Sequence, residues 1–131
     1  MSIKAASDSP ILTPGYVLGR RVHLLASGLL AVIALLHSAL TFVLYRGWSP
    51  ESVWFLGTGL GLVLLAALNW THIGLEPCRM PTARLVQVAN WVFVLFGIGA
   101  VIAVSEVQAF VVLTVLAGQA VAARWTLPGP D

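Results

Sequence analysis

The chain has 131 residues, of which 59% are hydrophobic and only 9% are charged, and its formal net charge is +2. Soluble globular domains contain about 45–50% apolar and about 25% charged residues, so this composition excludes an ordinary soluble fold. Apolar runs long enough to cross a bilayer as helices indicate an integral membrane protein instead. In such a protein the small positive charge reflects membrane topology, and it does not indicate nucleic-acid binding.

A polar segment, residues 1–21, precedes the first apolar run and contains several serines and prolines. We interpret it as a flexible cytoplasmic tail. The apolar run that follows is too long for the core of a signal peptide, so we predict an uncleaved membrane anchor.

Four apolar runs predict four transmembrane helices, because a backbone in lipid must satisfy its own hydrogen bonds. Pro50 can start the second helix, and Pro81 can start the third. Only Ser105 and Glu106 separate the third run from the fourth, so these two helices are predicted to be antiparallel neighbours. The fold class is therefore an all-α integral membrane four-helix bundle, up-down-up-down, with both termini cytoplasmic. The predicted helices cover residues 22–45, 52–74, 85–104 and 107–123, the bundle covers 22–125, and 126–131 form a short C-terminal tail.

The distribution of basic residues predicts the orientation. Of the seven lysines and arginines, only Arg46 falls on the side of the first and third connections. The other six are Lys4, Arg20, Arg21, Arg79, Arg84 and Arg124. Basic residues stay on the cytoplasmic side during insertion, so both termini are expected in the cytoplasm. We expect the protein in a bacterial-type plasma (inner) membrane.

Polar side chains in the predicted helices recur at helical spacing, which puts them on one side of each helix. Six of them share a depth, within about two turns of the predicted cytoplasmic ends. They are His23, Ser27, Asn69, His72, Asn90 and Gln119. Because polar groups facing lipid are costly, we predict that these side chains face one another around a polar cavity in the cytoplasmic half of the bundle.

This cavity predicts a protein that binds, and in the stronger form of the hypothesis converts, a lipophilic small molecule arriving through the bilayer. His23 and His72 are the candidate catalytic residues, since imidazole exchanges protons near neutral pH. Ser27, Asn69, Asn90 and Gln119 are the candidate ligand-binding residues. The sequence leaves open whether the protein is an enzyme.

Two alternatives remain. The polar residues could serve only as interhelical hydrogen bonds, in a homo-oligomer or in a structural or assembly subunit of a larger membrane complex, whose small-residue faces dock another membrane protein. Alternatively, His23 and His72 could ligate a single b-type haem, since both lie at the same end of the bundle. The main expectation is that the protein has no cofactor and no metal.

Three further sets of residues bear on packing and chemistry. Gly57 and Gly61 form a small-xxx-small pattern, which predicts a close helix–helix approach. Cys78 is the single cysteine, so an intramolecular disulfide is excluded and a zinc cluster is not expected. His37 and Thr41 are interpreted as a separate packing pair in the outer half of the first helix.

Overall fold

The computed structural model describes residues 14–74 and 80–126. This part of the chain forms four α-helices, α1 (Pro14–Leu44), α2 (Pro50–Gly74), α3 (Met80–Val104) and α4 (Val107–Trp125). Each of the four is long and apolar enough to cross a membrane, which confirms the predicted class of a multi-pass, all-helical membrane protein. The first part of the predicted tail with Lys4, the connection with Cys78 and Arg79, and residues 127–131 lie outside the described residues.

The first helix begins at Pro14 instead of Val22, so residues 14–21 are helical although their polarity suggested a flexible tail. Proline favours the first position of a helix, where its missing N–H costs nothing. This part of α1 packs against the end of α4: a Cβ on Gly19 would lie 2.9 Å from the Cβ of Trp125. The whole of α1 has 31 residues, which correspond to a length of about 46 Å, and this exceeds the roughly 30 Å thickness of a hydrocarbon core.

The start of α2 is fixed by a reciprocal cap ahead of Pro50. The Ser49 N–H donates to Ser52 Oγ at 2.8 Å, and the Ser52 N–H donates to Ser49 Oγ at 3.2 Å. Two backbone donors that the helix itself cannot satisfy are thereby paired. Gly47, with a φ of +102°, turns the chain just before this cap, a conformation that glycine adopts without a steric penalty.

Consecutive helices are antiparallel. The beginning of α1 meets the end of α2 where His23 bonds to Asn69, and the end of α1 meets the beginning of α2 where Tyr45 lies against Phe55. Helix α1 packs closely along α2 and α4, and α3 packs along α4, whereas α2 and α3 touch only sparsely. This arrangement is consistent with the predicted four-helix bundle.

The helices bury a small apolar core and expose a large apolar exterior. The core is composed of Leu30, Ala34, Leu62, Leu65, Ala66, Val94, Leu116 and Ala120. On the outer surface, large apolar side chains such as Leu25 and Leu64 are about 70% exposed (74% and 70%). Such a surface would be unfavourable in water but suits the hydrocarbon of a bilayer.

The glycine that allows the close approach of α1 and α2 is Gly59, and not the predicted pair. A Cβ on Gly59 would clash with Ser38 Oγ and would lie 3.1 Å from the Ser38 backbone nitrogen. A Cβ on Gly57 would meet nothing within 4 Å, and one on Gly61 would make an ordinary contact of 3.4 Å with the Phe93 ring. Within one copy of the chain, Gly57 and Gly61 are therefore not the glycines at which α1 meets α2, because the spacing of small residues does not reveal which face meets a neighbouring helix.

Candidate functional site

The polar residues singled out in the sequence meet at one end of the four helices. We refer to them, with one addition from the end of α4, as the polar cluster. It consists of His23, Ser27, Asn69, His72, Asn90, Gln119 and Thr126. Thr126 is 7% exposed and each of the others is at most 3% exposed, so the cluster is closed off from the surface of the protein.

Two asparagines form the centre of the polar cluster. Asn69 Nδ2 donates to Asn90 Oδ1, and Asn90 Nδ2 donates back to Asn69 Oδ1, both at 2.9 Å. Asn69 Nδ2 also donates to the Leu65 carbonyl at 2.8 Å. A backbone carbonyl can only accept, so this bond fixes which end of the Asn69 amide is the nitrogen. The pair ties α2 to α3, which otherwise touch only sparsely.

His23 is held by the same amide pair. Its Nε2 lies 2.7 Å from Asn69 Oδ1, an oxygen that can only accept. The imidazole must therefore carry a proton on Nε2 and donate it to Asn69. Position and tautomer of His23 are both fixed by this bond.

The other nitrogen of His23 faces Thr126. Nδ1 lies 3.3 Å from Thr126 Oγ1, and this hydroxyl lies 2.9 Å from the Ala123 carbonyl, to which it can donate. A neutral His23 can accept the hydroxyl proton at Nδ1, whereas a protonated His23 can donate to a hydroxyl that turns toward Ala123. The site can thus satisfy either protonation state of the imidazole by a rotation of the Thr126 hydroxyl.

Gln119, on α4, belongs to the polar cluster, and only the nitrogen of its side-chain amide has a hydrogen-bond partner. Its Nε2 donates to Asn90 Oδ1 over 3.5 Å, while its Oε1 is buried without a hydrogen-bond partner. Exchanging the two ends of the amide would put two acceptors against each other, so the unpaired atom is the oxygen. Gln87, on α3, repeats this pattern: Nε2 donates to the Ala120 carbonyl at 3.3 Å, and its Oε1 is buried and unpaired.

Ser27 and His72 complete the set predicted from the sequence. The Ser27 hydroxyl donates to the His23 carbonyl at 2.8 Å, within its own helix. The His72 ring lies 6.2 Å from the His23 ring, centre to centre, with a tilt of 49°. The structure therefore brings all six predicted side chains to one level of the bundle.

The arrangement differs from the predicted cavity in one respect. His23, Asn69 and Asn90 are bonded directly to each other, so their own side chains fill the space between them. These three residues therefore leave no space between them for a ligand.

A haem between His23 and His72 would have to displace a hydrogen-bonding contact of His23. Ligation of haem iron requires a ring nitrogen that no other group occupies. Both nitrogens of His23 lie within hydrogen-bond distance of protein atoms, Asn69 Oδ1 and Thr126 Oγ1. In residues 14–74 and 80–126, no group of three or more His, Cys, Asp or Glu side chains is arranged to hold a metal ion.

Thr126 is the member of the polar cluster that the sequence analysis missed, because it was assigned to the C-terminal tail. Its spacing would have revealed it: Thr126 follows Gln119 by seven residues. Seven residues are about two helical turns, so the two side chains share a face if the helix extends to this point. α4 ends at Trp125, so Thr126 directly follows the last residue of the helix.

A second feature lies between α2 and α3, where these helices diverge. A groove of about 350 Å³ opens there, and its lining is almost wholly apolar. It is lined by Trp54, Gly57, Thr58, Gly61, Val92, Phe93 and Phe96. The groove is separate from the polar cluster, since none of these residues belongs to both.

In comparisons with known proteins, no family model, no characterised protein and no solved structure matches this chain. The polar cluster and the groove are therefore the features of the described residues that bear on function.

Proposed function

We propose that this small membrane protein binds a lipophilic molecule whose polar head donates a hydrogen bond to Gln119. The observation that supports this is the unpaired Oε1 of a side chain that is 0% exposed. A buried acceptor without a donor costs about 1–3 kcal/mol. A ligand that supplies the donor would recover this energy on binding.

The hydrogen-bonding inventory of the cluster defines the chemistry of the ligand head. The amide nitrogens of Asn69, Asn90 and Gln119 all donate to protein acceptors, whereas the oxygens of Gln119 and Gln87 have no donor. The ligand head should therefore be a donor, such as a hydroxyl or an N–H group, in preference to a bare carbonyl. The rest of the ligand should be apolar, because much of the outer surface of the helices is apolar.

His23 and His72 are the groups that we propose for acid–base chemistry on such a ligand. Asn69 and Thr126 would let His23 gain or lose a proton without leaving a nitrogen unpaired, which favours reversible proton transfer. In the orientation expected from the basic residues, this site lies in the cytoplasmic half of a bacterial plasma membrane. Asn69, Asn90 and Ser27 would hold the histidine side of the site in place.

A second candidate function, an assembly subunit, is favoured by the α2–α3 groove. Its lining is apolar, and the backbone at Gly57 is uncovered, since a Cβ there would meet nothing within 4 Å. A transmembrane helix of another subunit could approach closely along such a surface. In this case the polar cluster would only hold the helices in register.

The discriminating experiment is the extraction of the full chain directly into polymer-bounded lipid discs, followed by native mass spectrometry. The wild type should retain a lipophilic molecule with a hydroxyl or N–H group. Gln119→Met, which keeps the length of the side chain, should reduce its occupancy about tenfold, the change expected for roughly 1.4 kcal/mol of lost binding energy.

Gln108→Leu, at an exposed position near the start of α4, is the matched control and should retain the ligand. If the wild type carries no small molecule, or if Gln119→Met carries as much as the wild type, the proposal fails. A stoichiometric membrane protein in place of a small molecule would support the assembly function instead.

A further inference from the structure

Thr41 is an exception among the hydroxyl side chains of the helices. In a helix, the hydroxyl of serine or threonine usually bonds to the carbonyl four residues back. Five residues of this protein do so at 2.8–2.9 Å: Ser27, Ser38, Thr58, Thr71 and Thr114. Thr41 is 3% exposed, yet its Oγ1 has no partner at all. Its hydroxyl therefore does not bond to the His37 carbonyl four residues back.

A second unpaired atom lies one turn away on the same face of α1. His37 Nε2 is buried without a hydrogen-bond partner. The Phe55 side chain stacks on the imidazole, with ring centres 3.7 Å apart and planes inclined by 17°. This stacking holds the plane of the imidazole, and hence the direction in which Nε2 points.

The spacing of the two residues suits a single bridging group. Side chains four residues apart on a helix have Cβ atoms about 5–6 Å apart. One hydroxyl group with a hydrogen bond of about 2.8 Å on each side can bond to two polar atoms up to about 5–6 Å apart, and both side chains project from this one face of α1. Thr41 lies three residues from the end of α1 at Leu44, which is about 4.5 Å along the axis, so a polar group from the bilayer surface can reach it.

We propose that Thr41 and His37 bind one hydroxyl group, from a water molecule or an amphiphilic alcohol, at the end of α1 opposite the polar cluster. The site is distinct from the polar cluster. His23 and His37 are fourteen residues apart, about 21 Å along the helix, and between them Leu30 and Ala34 are 0% exposed and apolar. The proposal is therefore independent of what binds at Gln119.

Proton-detected NMR of the full chain, labelled with ¹⁵N-histidine in discs of deuterated lipid, tests the site. The wild type should show a correlation between His37 Nε2 and a bound hydroxyl. Thr41→Val removes the hydroxyl at nearly constant volume and should weaken this correlation about fivefold, as expected for the loss of one hydrogen bond. Thr41→Ser keeps the hydroxyl and should retain it.

Adding 1-decanol distinguishes the two sources of the hydroxyl. If the correlation moves from water to the alcohol CH₂ protons, the site takes an amphiphile, and if it stays on water, the site holds water. The contact between His37 and Phe55 reports whether the packing of α1 on α2 is intact in each variant. A wild-type spectrum with neither correlation overturns the proposal, as does an unchanged correlation in a Thr41→Val protein that keeps the Phe55 contact.

Discussion

At the scale of single residues, Asn69 has the largest role in the polar cluster. It accepts from His23, exchanges two hydrogen bonds with Asn90 and donates to the Leu65 carbonyl. Removing it would leave the Nε2 proton of His23 and the Nδ2 group of Asn90 buried without partners. Few other side chains in the described helices connect as many groups.

We expect Asn69→Leu to lower the free energy of unfolding by about 1–3 kcal/mol, the cost of leaving buried polar groups unpaired. The measurement is reversible unfolding by SDS in mixed micelles. Gln108→Leu, at an exposed site, should change stability by less than about 0.5 kcal/mol. In the double variant with Asn90→Leu, part of the loss should be recovered, because both partners of the amide pair are then apolar. Equal effects of Asn69→Leu and Gln108→Leu would contradict this role.

The sequence was sufficient to bring Asn69 and Asn90 together. Helical periodicity indicates on which face of its helix each asparagine lies, and the positions of the connections indicate its depth in the membrane. Because polar groups are costly in lipid, both side chains are expected to point into the bundle. The sequence could not show that they would bond to each other and fill the expected cavity. That outcome depends on the distance between helices, which apolar contacts such as those of Leu62 and Leu116 determine.

At the scale of helices, the contact between α1 and α2 depends on the absence of a side chain at Gly59. The Ser38 backbone occupies the position that a larger residue would need. The sequence predicted the existence and the limits of α2 well, because Pro50 and the apolar run define them. It failed to identify the contact glycine, since the rotation of one helix against another is decided by both surfaces together.

Gly59→Val should destabilise the fold by about 1–3 kcal/mol, because overpacking forces the two helices apart. Gly57→Val, two positions earlier on a face without neighbours, is the matched control and should have little effect. Both variants can be compared by unfolding in mixed micelles. A Gly57→Val protein that is as unstable as Gly59→Val would show that the close contact is on the groove side.

At the scale of the whole molecule, the packing divides the helices unevenly. α1 with α2, and α3 with α4, are closely packed pairs, and the contact of α1 with α4 joins them. The groove is on the opposite side, where α2 and α3 diverge. The two features that could bind other molecules, the polar cluster and the groove, therefore lie at different positions along the bundle.

The orientation in the membrane is a prediction of the whole molecule, since it depends on the balance of basic residues on its two sides. A reporter fused after Asp131 should indicate a cytoplasmic position. A reporter inserted near Ser49 should indicate an external position. Alkaline phosphatase and green fluorescent protein fusions in a bacterial host provide the two measurements. Both positions scoring on the same side of the membrane would contradict four spans.

The two-residue connection between α3 and α4 also constrains how the protein is made. Ser105, with a φ of 53°, and Glu106 are the only residues between the two helices, and two residues reach at most about 7 Å. The end of α3 therefore cannot arrive at the far side of the bilayer unless the start of α4 arrives with it. We therefore expect these two segments to enter the lipid together as a hairpin during biosynthesis.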